Sequence, residues 1–66
     1  MNAAEAKTLT FIQTCIKTAR RMYAEARHYD RVGLGATACL SRKFAHINML
    51  NARSSHKALQ AWRARA

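Results

Sequence analysis

The positions of the helix-breaking residues constrain the fold of this chain more than any other feature. The 66 residues include no proline, and the only two glycines, Gly33 and Gly35, lie at the centre of the sequence. Proline and glycine are the residues least compatible with a helix interior, and most other residues here are good helix formers. We therefore predict a single all-α domain over residues 1–66, with a helix at about 3–31, a turn at 32–36 and a helix at about 37–65.

Local signals mark the ends of these helices. Asn2 is a good N-cap and Glu5 follows three residues later, which predicts an imperfect capping box. Gly33 suits the left-handed residue that closes a helix, and Leu34 follows it. Gly35 or Thr37 is expected to start the second helix. We predict that this helix is continuous, although the polar segment 51–55 leaves open a break into two shorter helices.

Hydrophobic periodicity defines one face of each helix. In the first helix, apolar residues recur in steps of three and four, which is the pattern of an amphipathic helix. In the second helix Asn51 and Ser54 interrupt the apolar face, and Met49 and Leu59 point away from it. The first face comprises Leu9, Ile12, Ile16, Ala19, Tyr23 and Ala26, and the second comprises Leu40, Phe44, Ile47, Leu50, Ala58, Ala61 and Trp62.

An antiparallel hairpin with its turn near residue 34 brings the two faces together. This register places Tyr23 near Phe44 and Ile47. The apolar stripe of the first helix spans roughly 160°, which is wider than one neighbouring helix covers. A second copy that completes an antiparallel four-helix bundle would cover the rest, and a buried Asn51 would help to fix its register. The predicted homodimer or partner interface consists of Ile12, Ile16, Tyr23, Phe44, Ile47, Met49, Leu50 and Trp62.

The charge of the chain is strongly asymmetric. Twelve Lys and Arg residues against three acids give a net charge of +9, and no acid follows Asp30. A segment without carboxylates attracts polyanions, and cations at helical spacing suit a phosphate backbone. We predict a small regulatory protein that binds nucleic acid through two basic stripes. The second helix contributes Arg42, His46, Arg53 and Lys57, and the first contributes Lys17, Arg20, Arg27 and Arg31.

Basic helices also bind acidic proteins, which provides a second interpretation. In this interpretation the chain is an adaptor or inhibitor that docks on an acidic surface of a larger host protein. An accessory protein of a phage or mobile element would be an example. Other classes are less compatible with the composition. We expect no catalytic site, cofactor or metal site, because the acids are few and the Cys and His residues lack zinc-ligand spacing. Without a signal peptide or an apolar span, and with two reduced core cysteines, a cytoplasmic protein is expected.

One local motif suggests an alternative fold. The segment VGLGATACLSRKFAH at 32–46 resembles the recognition half of the helix-turn-helix in the arabinose-regulator family of transcription factors. This resemblance implies three short helices and a recognition helix at 37–47 that enters a DNA major groove. It departs from the family pattern at Tyr29, where a small residue is typical, and in lacking a second glycine after Phe44. The residues that it would present to DNA are Thr37, Ala38, Ser41 and Arg42.

Overall fold

The chain forms a hairpin of two long antiparallel helices. The structure is a computed structural model that describes residues 2–65. Helix α1 spans Ala3–Arg31 and helix α2 spans Gly35–Arg65, and the Cα atoms extend over 51 × 16 × 10 Å. The predicted all-α hairpin is confirmed. The alternatives with three short helices are wrong, because α2 continues through 51–55 without a break.

Both predicted ends of α1 are present. The side chain of Asn2 accepts a hydrogen bond of 2.8 Å from the backbone N–H of Glu5, and this satisfies one of the free donors of the first turn. At the other end, Gly33 adopts a φ of +83°, in the left-handed region that favours glycine. The N–H of Leu34 donates to the carbonyl of Tyr29, and that of Gly33 donates to the carbonyl of Asp30. These two bonds form a Schellman motif.

Small residues of α2 form the contact with α1. Ala38, Ala45 and Ala52 recur every seven residues and are almost fully buried, as is Leu59. Ser41, Asn48 and Ser55, which lie between them, are half-buried, so the less exposed positions alternate in steps of three and four, the spacing of a coiled coil. Alanines at these positions allow close approach of the two backbones. The inner seam of α2 thus consists of Ala38, Ser41, Ala45, Asn48, Ala52, Ser55 and Leu59.

The seam of α1 follows the same heptad spacing. Ala19 and Ala26 are buried seven residues apart, and Ile12 and Cys15 pack with Ala52 of α2 in the core cluster. This spacing predicts a left-handed supercoil. The contact residues of α1 are Glu5, Thr8, Ile12, Cys15, Ala19, Met22, Ala26 and Tyr29.

The apolar face predicted for α2 does not face α1. Phe44 and Ile47, which were expected to contact Tyr23, are 46% and 50% exposed. Leu59, expected to point away from the apolar face, is buried instead. The prediction failed because it gave weight to large apolar residues, whereas the seam uses small ones. Five residues of the predicted face, together with Asn51 and Ser54, which interrupt it, form an exposed row on α2. We call this row the outer stripe, and it consists of Leu40, Phe44, Ile47, Asn51, Ser54, Ala58 and Ala61.

An ion pair lies near each end of the hairpin. Arg42 of α2 donates to the carboxylate of Asp30 at 2.7 Å, beside the turn. Arg63 approaches Glu5 at 3.4 Å, at the open end. Both pairs are partly exposed, so each contributes at most about 1 kcal/mol to stability. Their main effect is to favour one register of the two helices.

Candidate nucleic-acid interface

The acids of this chain are all used in ion pairs with arginine. Asp30 and Glu5 bind arginines of α2, and Glu25 lies 4.0 Å from Arg21 within α1. The three pairs leave nine of the twelve Lys and Arg side chains without a carboxylate partner within residues 2–65. Most of the positive charge is therefore available to an external anion, and it lies on rigid helices.

A shallow groove runs between the helices on one side of the hairpin. Its volume is about 370 Å³, and its floor is apolar. Ile12 and Ile16 come from α1, and Met49 and Leu50 come from α2. The α2 edge carries nitrogen-bearing side chains, namely those of His46, Arg53 and His56. We call this side of the molecule the basic groove.

The α1 edge of the basic groove is also cationic. Arg20 lies four residues after Ile16, and Arg27 lies four residues after Tyr23. Residues four apart occupy the same side of a helix, so both arginines lie on the groove side of α1, although neither is among the residues that line the groove. Both are exposed. On α2, His46 and Arg53 form the opposite rim, so the apolar floor lies between two cationic rims.

The predicted basic residues do not form one continuous surface. His46 and Arg53 line the groove, and Arg20 and Arg27 lie on the same side of the hairpin by their helical positions. Arg42, predicted as a phosphate contact, lies at the turn end, where Asp30 holds its guanidinium. The remaining three lie outside the groove. By heptad position Lys17 and Arg31 are on the side of α1 opposite its seam, and Lys57 is on the corresponding side of α2.

The residues implied by the helix-turn-helix resemblance do not form a reading surface. Ala38 is fully buried against α1, and Ser41 is half-buried in the inner seam. Arg42 is bound to Asp30. Only Thr37 of this set is both exposed and outside the ion pairs and the seam. A major-groove recognition helix at 37–47 is therefore incompatible with this packing.

Two further basic residues, outside the predicted stripes, lie at or beside the groove. His56 lines the basic groove, and Lys43 lines an adjoining depression with Arg42 and His46. The signal for His56 was its position seven residues after Met49, which places both on the same side of α2 in a heptad pattern. This spacing points to the groove only once it is known which residues of α2 face α1.

The predicted interface residues occupy three different environments. Ile12 is buried within the hairpin, and Ile16 and Tyr23 are half-buried. The five from α2 are exposed, between 41% and 50%. Met49 and Leu50 line the basic groove, and Trp62 lines a smaller pocket of about 210 Å³ with Ala4 and Thr8 at the open end. Phe44 and Ile47 belong to the outer stripe.

The two cysteines also differ in environment. Cys15 is buried in the core cluster, as predicted, whereas Cys39 is exposed, contrary to the prediction. Both are free thiols. Across residues 2–65, no group of three or more Cys, His, Asp or Glu side chains is placed to hold a metal ion. Neither helix, over the same residues, contains a stretch long and apolar enough to cross a membrane.

Comparisons with known proteins supply no relative. No protein-family model matches this chain, no curated protein is similar to it in sequence, and no solved structure is similar to it in fold.

Proposed function

We propose that this chain is a small regulatory protein that binds the phosphate backbone of a nucleic acid through its basic groove. The observation that carries the proposal is the excess of unpaired cations. Nine Lys and Arg side chains have no carboxylate partner within residues 2–65, and His46, Arg53 and His56 line one groove. Each cation that neutralises a phosphate releases a counterion, which favours binding at moderate salt.

The geometry supports backbone recognition over base reading. Arg20 and Arg27 are seven residues apart, as are His46 and Arg53, and seven residues span about 10 Å of helix. This length corresponds to roughly three steps of 3.4 Å along a nucleic-acid strand. The groove floor between the rims is apolar and offers little that would distinguish one base edge from another. We therefore infer charge- and shape-driven binding, and we propose separately that the binding unit is a homodimer.

A second candidate is an adaptor or inhibitor that docks on an acidic protein. The apolar floor of the basic groove favours this candidate, because cationic rims around Ile16 and Met49 suit an acidic amphipathic helix. Such a helix would place its apolar side on the floor and its carboxylates on the rims. Under either candidate the expected location is the cytoplasm, in keeping with free thiols at Cys15 and Cys39.

Salt-titrated binding to duplex DNA, hairpin RNA and single strands tests the proposal. We expect a sub-micromolar Kd for one of these at about 150 mM salt, with a salt dependence equivalent to several phosphates. The double variant Arg20→Glu/Arg53→Glu removes one cation from each rim. It should weaken binding by about 30-fold or more, because each lost phosphate contact costs about fivefold at this salt concentration.

A matched control separates the groove from overall charge. Lys17→Glu/Arg31→Glu makes the same change in net charge on the far side of α1, and it should weaken binding much less. Equal losses in the two double variants would mean that only the total charge matters. If none of the three nucleic acids binds at this salt concentration, the proposal fails and an acidic protein becomes the target to seek.

A further inference from the structure

Helix α2 carries a second heptad stripe that the hairpin does not use. Each member of the outer stripe except Ala61 stands one residue before a member of the inner seam, from Leu40 before Ser41 to Ala58 before Leu59. One residue of helix corresponds to a rotation of about 100°, so the two stripes face nearly perpendicular directions. Helix α1 covers the inner seam, and every member of the outer stripe is exposed.

The seven residues of the outer stripe are uncharged, although the chain as a whole carries a charge of +9, and the stripe ends where the same spacing reaches Arg65, the last residue of α2. Leu40, Phe44 and Ile47 provide an apolar surface, and Asn51 and Ser54 are its only polar members. A row of heptad positions without charge is typical of a helix–helix contact. It offers nothing to attract an acidic partner, and this distinguishes it from the basic groove.

The side chains of the outer stripe decrease in size along the helix. Large residues occupy its N-terminal half and alanines its C-terminal half, with the two polar residues between them. From Phe44 the next two members lie three residues on, at Ile47, and a further four residues on, at Asn51. Counted backwards from Ala61, the same steps of three and four residues lead to Ala58 and Ser54. Between Phe44 and Ala61, an antiparallel copy of the same stripe therefore has matching spacing and places large residues opposite small ones. Leu40 lies at the end of this contact, opposite Arg65 of the second copy.

We infer that the outer stripe binds the outer stripe of a second copy of this chain, with the two α2 helices antiparallel about a twofold axis. Phe44 of one copy packs on Ala61 of the other, and Ile47 packs on Ala58. Asn51 faces Ser54 of the second copy at the axis, so both polar groups find a partner and fix the register. The contact is self-complementary, as an isologous twofold interface must be.

Other arrangements of two copies fit less well. A parallel pairing would place Phe44 against Phe44 and Ala61 against Ala61, with overpacking at one end and voids at the other. Pairing through the basic groove would bring the cationic rims of two copies together. In the antiparallel arrangement the two grooves lie on the outside of the dimer, roughly opposite the interface, so both stay open.

Light scattering and analytical ultracentrifugation at micromolar concentration test this inference, and they do so independently of any ligand. The wild-type chain is expected to have twice the mass of one chain. Ile47→Arg introduces one buried cation from each copy and should raise the dimer Kd by at least about 100-fold. Met49→Arg, two residues along on the opposite side of α2, should leave the dimer intact. A wild-type monomer, or loss of the dimer in Met49→Arg alone, would overturn the inference.

A size exchange tests the register directly. Ile47→Ala leaves a void opposite Ala58, and Ala58→Ile overpacks against Ile47, so each single variant should weaken the dimer by about tenfold or more. The double variant Ile47→Ala/Ala58→Ile restores one large and one small residue at each contact, and it should recover most of the lost affinity. Both sites are exposed in the hairpin, so circular dichroism should show unchanged helicity in all three. Additive losses in the double variant would rule out this pairing.

Discussion

Arg42 donates a hydrogen bond of 2.7 Å to Asp30, across the turn that joins α1 to α2. Both side chains are about half exposed, so the pair is accessible to water and to salt. Arg42 was predicted to contact phosphate, but in this pair its guanidinium binds a carboxylate of the hairpin instead. The pair thus links the stability of the turn to the charge available for binding, and the two effects can be separated by mutation.

Asp30→Asn should have opposite effects on stability and on binding. Loss of an exposed ion pair costs about 0.2–1 kcal/mol of unfolding free energy. Release of Arg42 provides one more cation, and affinity for nucleic acid should rise about fivefold at about 150 mM salt if it neutralises a phosphate. Thermal unfolding and salt-titrated binding measure the two effects. Glu25→Gln, whose ion pair lies within α1, is the control and should raise affinity less.

The inner seam should not tolerate larger side chains. Ala45 is fully buried between the helices, and Ala45→Leu adds three carbons where the backbones approach closely. We expect a loss of about 1–3 kcal/mol, a large part of the roughly 3–10 kcal/mol typical of a chain of this length. Ala24→Leu, at an exposed position of α1, is the matched control and should be nearly neutral. Urea unfolding followed by circular dichroism measures the stability of both variants. Equal stability would contradict the tight packing of Ala45 in the inner seam.

The two glycines should respond to alanine with opposite signs. Gly33→Ala places a side chain at a φ of +83° and should destabilise the hairpin by roughly 1–2 kcal/mol. Gly35→Ala lies at the start of α2, where nothing is within 4 Å of an added Cβ atom. It should stabilise the hairpin by about 0.4–1 kcal/mol, because alanine restricts the unfolded chain. Melting temperatures of the two variants relative to the wild type provide the test.

The salt dependence of binding should differ between Arg53 and Arg42. On duplex DNA, Arg53→Ala should reduce the slope of log K against log salt by about 0.9, the amount expected for one lost phosphate contact. Arg42→Ala should change it less, because Asp30 already holds that guanidinium. Binding isotherms at several salt concentrations give both slopes. A larger change for Arg42 would mean that its ion pair opens on binding.

The features that could be predicted from sequence are those set by short segments. The Asn2 cap and the left-handed Gly33 each depend on residues within one helical turn, and both are present in the structure. The seam of α2 was missed because amphipathicity gives most weight to large apolar residues. Here the large residues are exposed, and Ala38, Ala45 and Ala52 make the contact. Their strict seven-residue repeat was visible in the sequence.

The candidate site was predicted in part, for a related reason. Helical spacing was enough to show that His46 and Arg53 share a side of α2. Their position beside Ile16 of α1 depends on how α2 is rotated about its own axis. The predicted seam of α2 was wrong by about one residue, which corresponds to a rotation of about 100°. The ion pair between Asp30 and Arg42 depends on the side-chain geometry at the turn, and no pattern within either helix contains that information.

The short turn at Gly33 also has a consequence for the order in which the hairpin assembles. Contacts near the turn join residues close in sequence, whereas Glu5 and Arg63 join the two ends of the chain. Closing a short loop costs the least conformational entropy. The contacts between the helices are therefore expected to form first near the turn and last at the open end. Substitutions beside the turn should therefore slow folding, whereas substitutions near Trp62 should mainly accelerate unfolding.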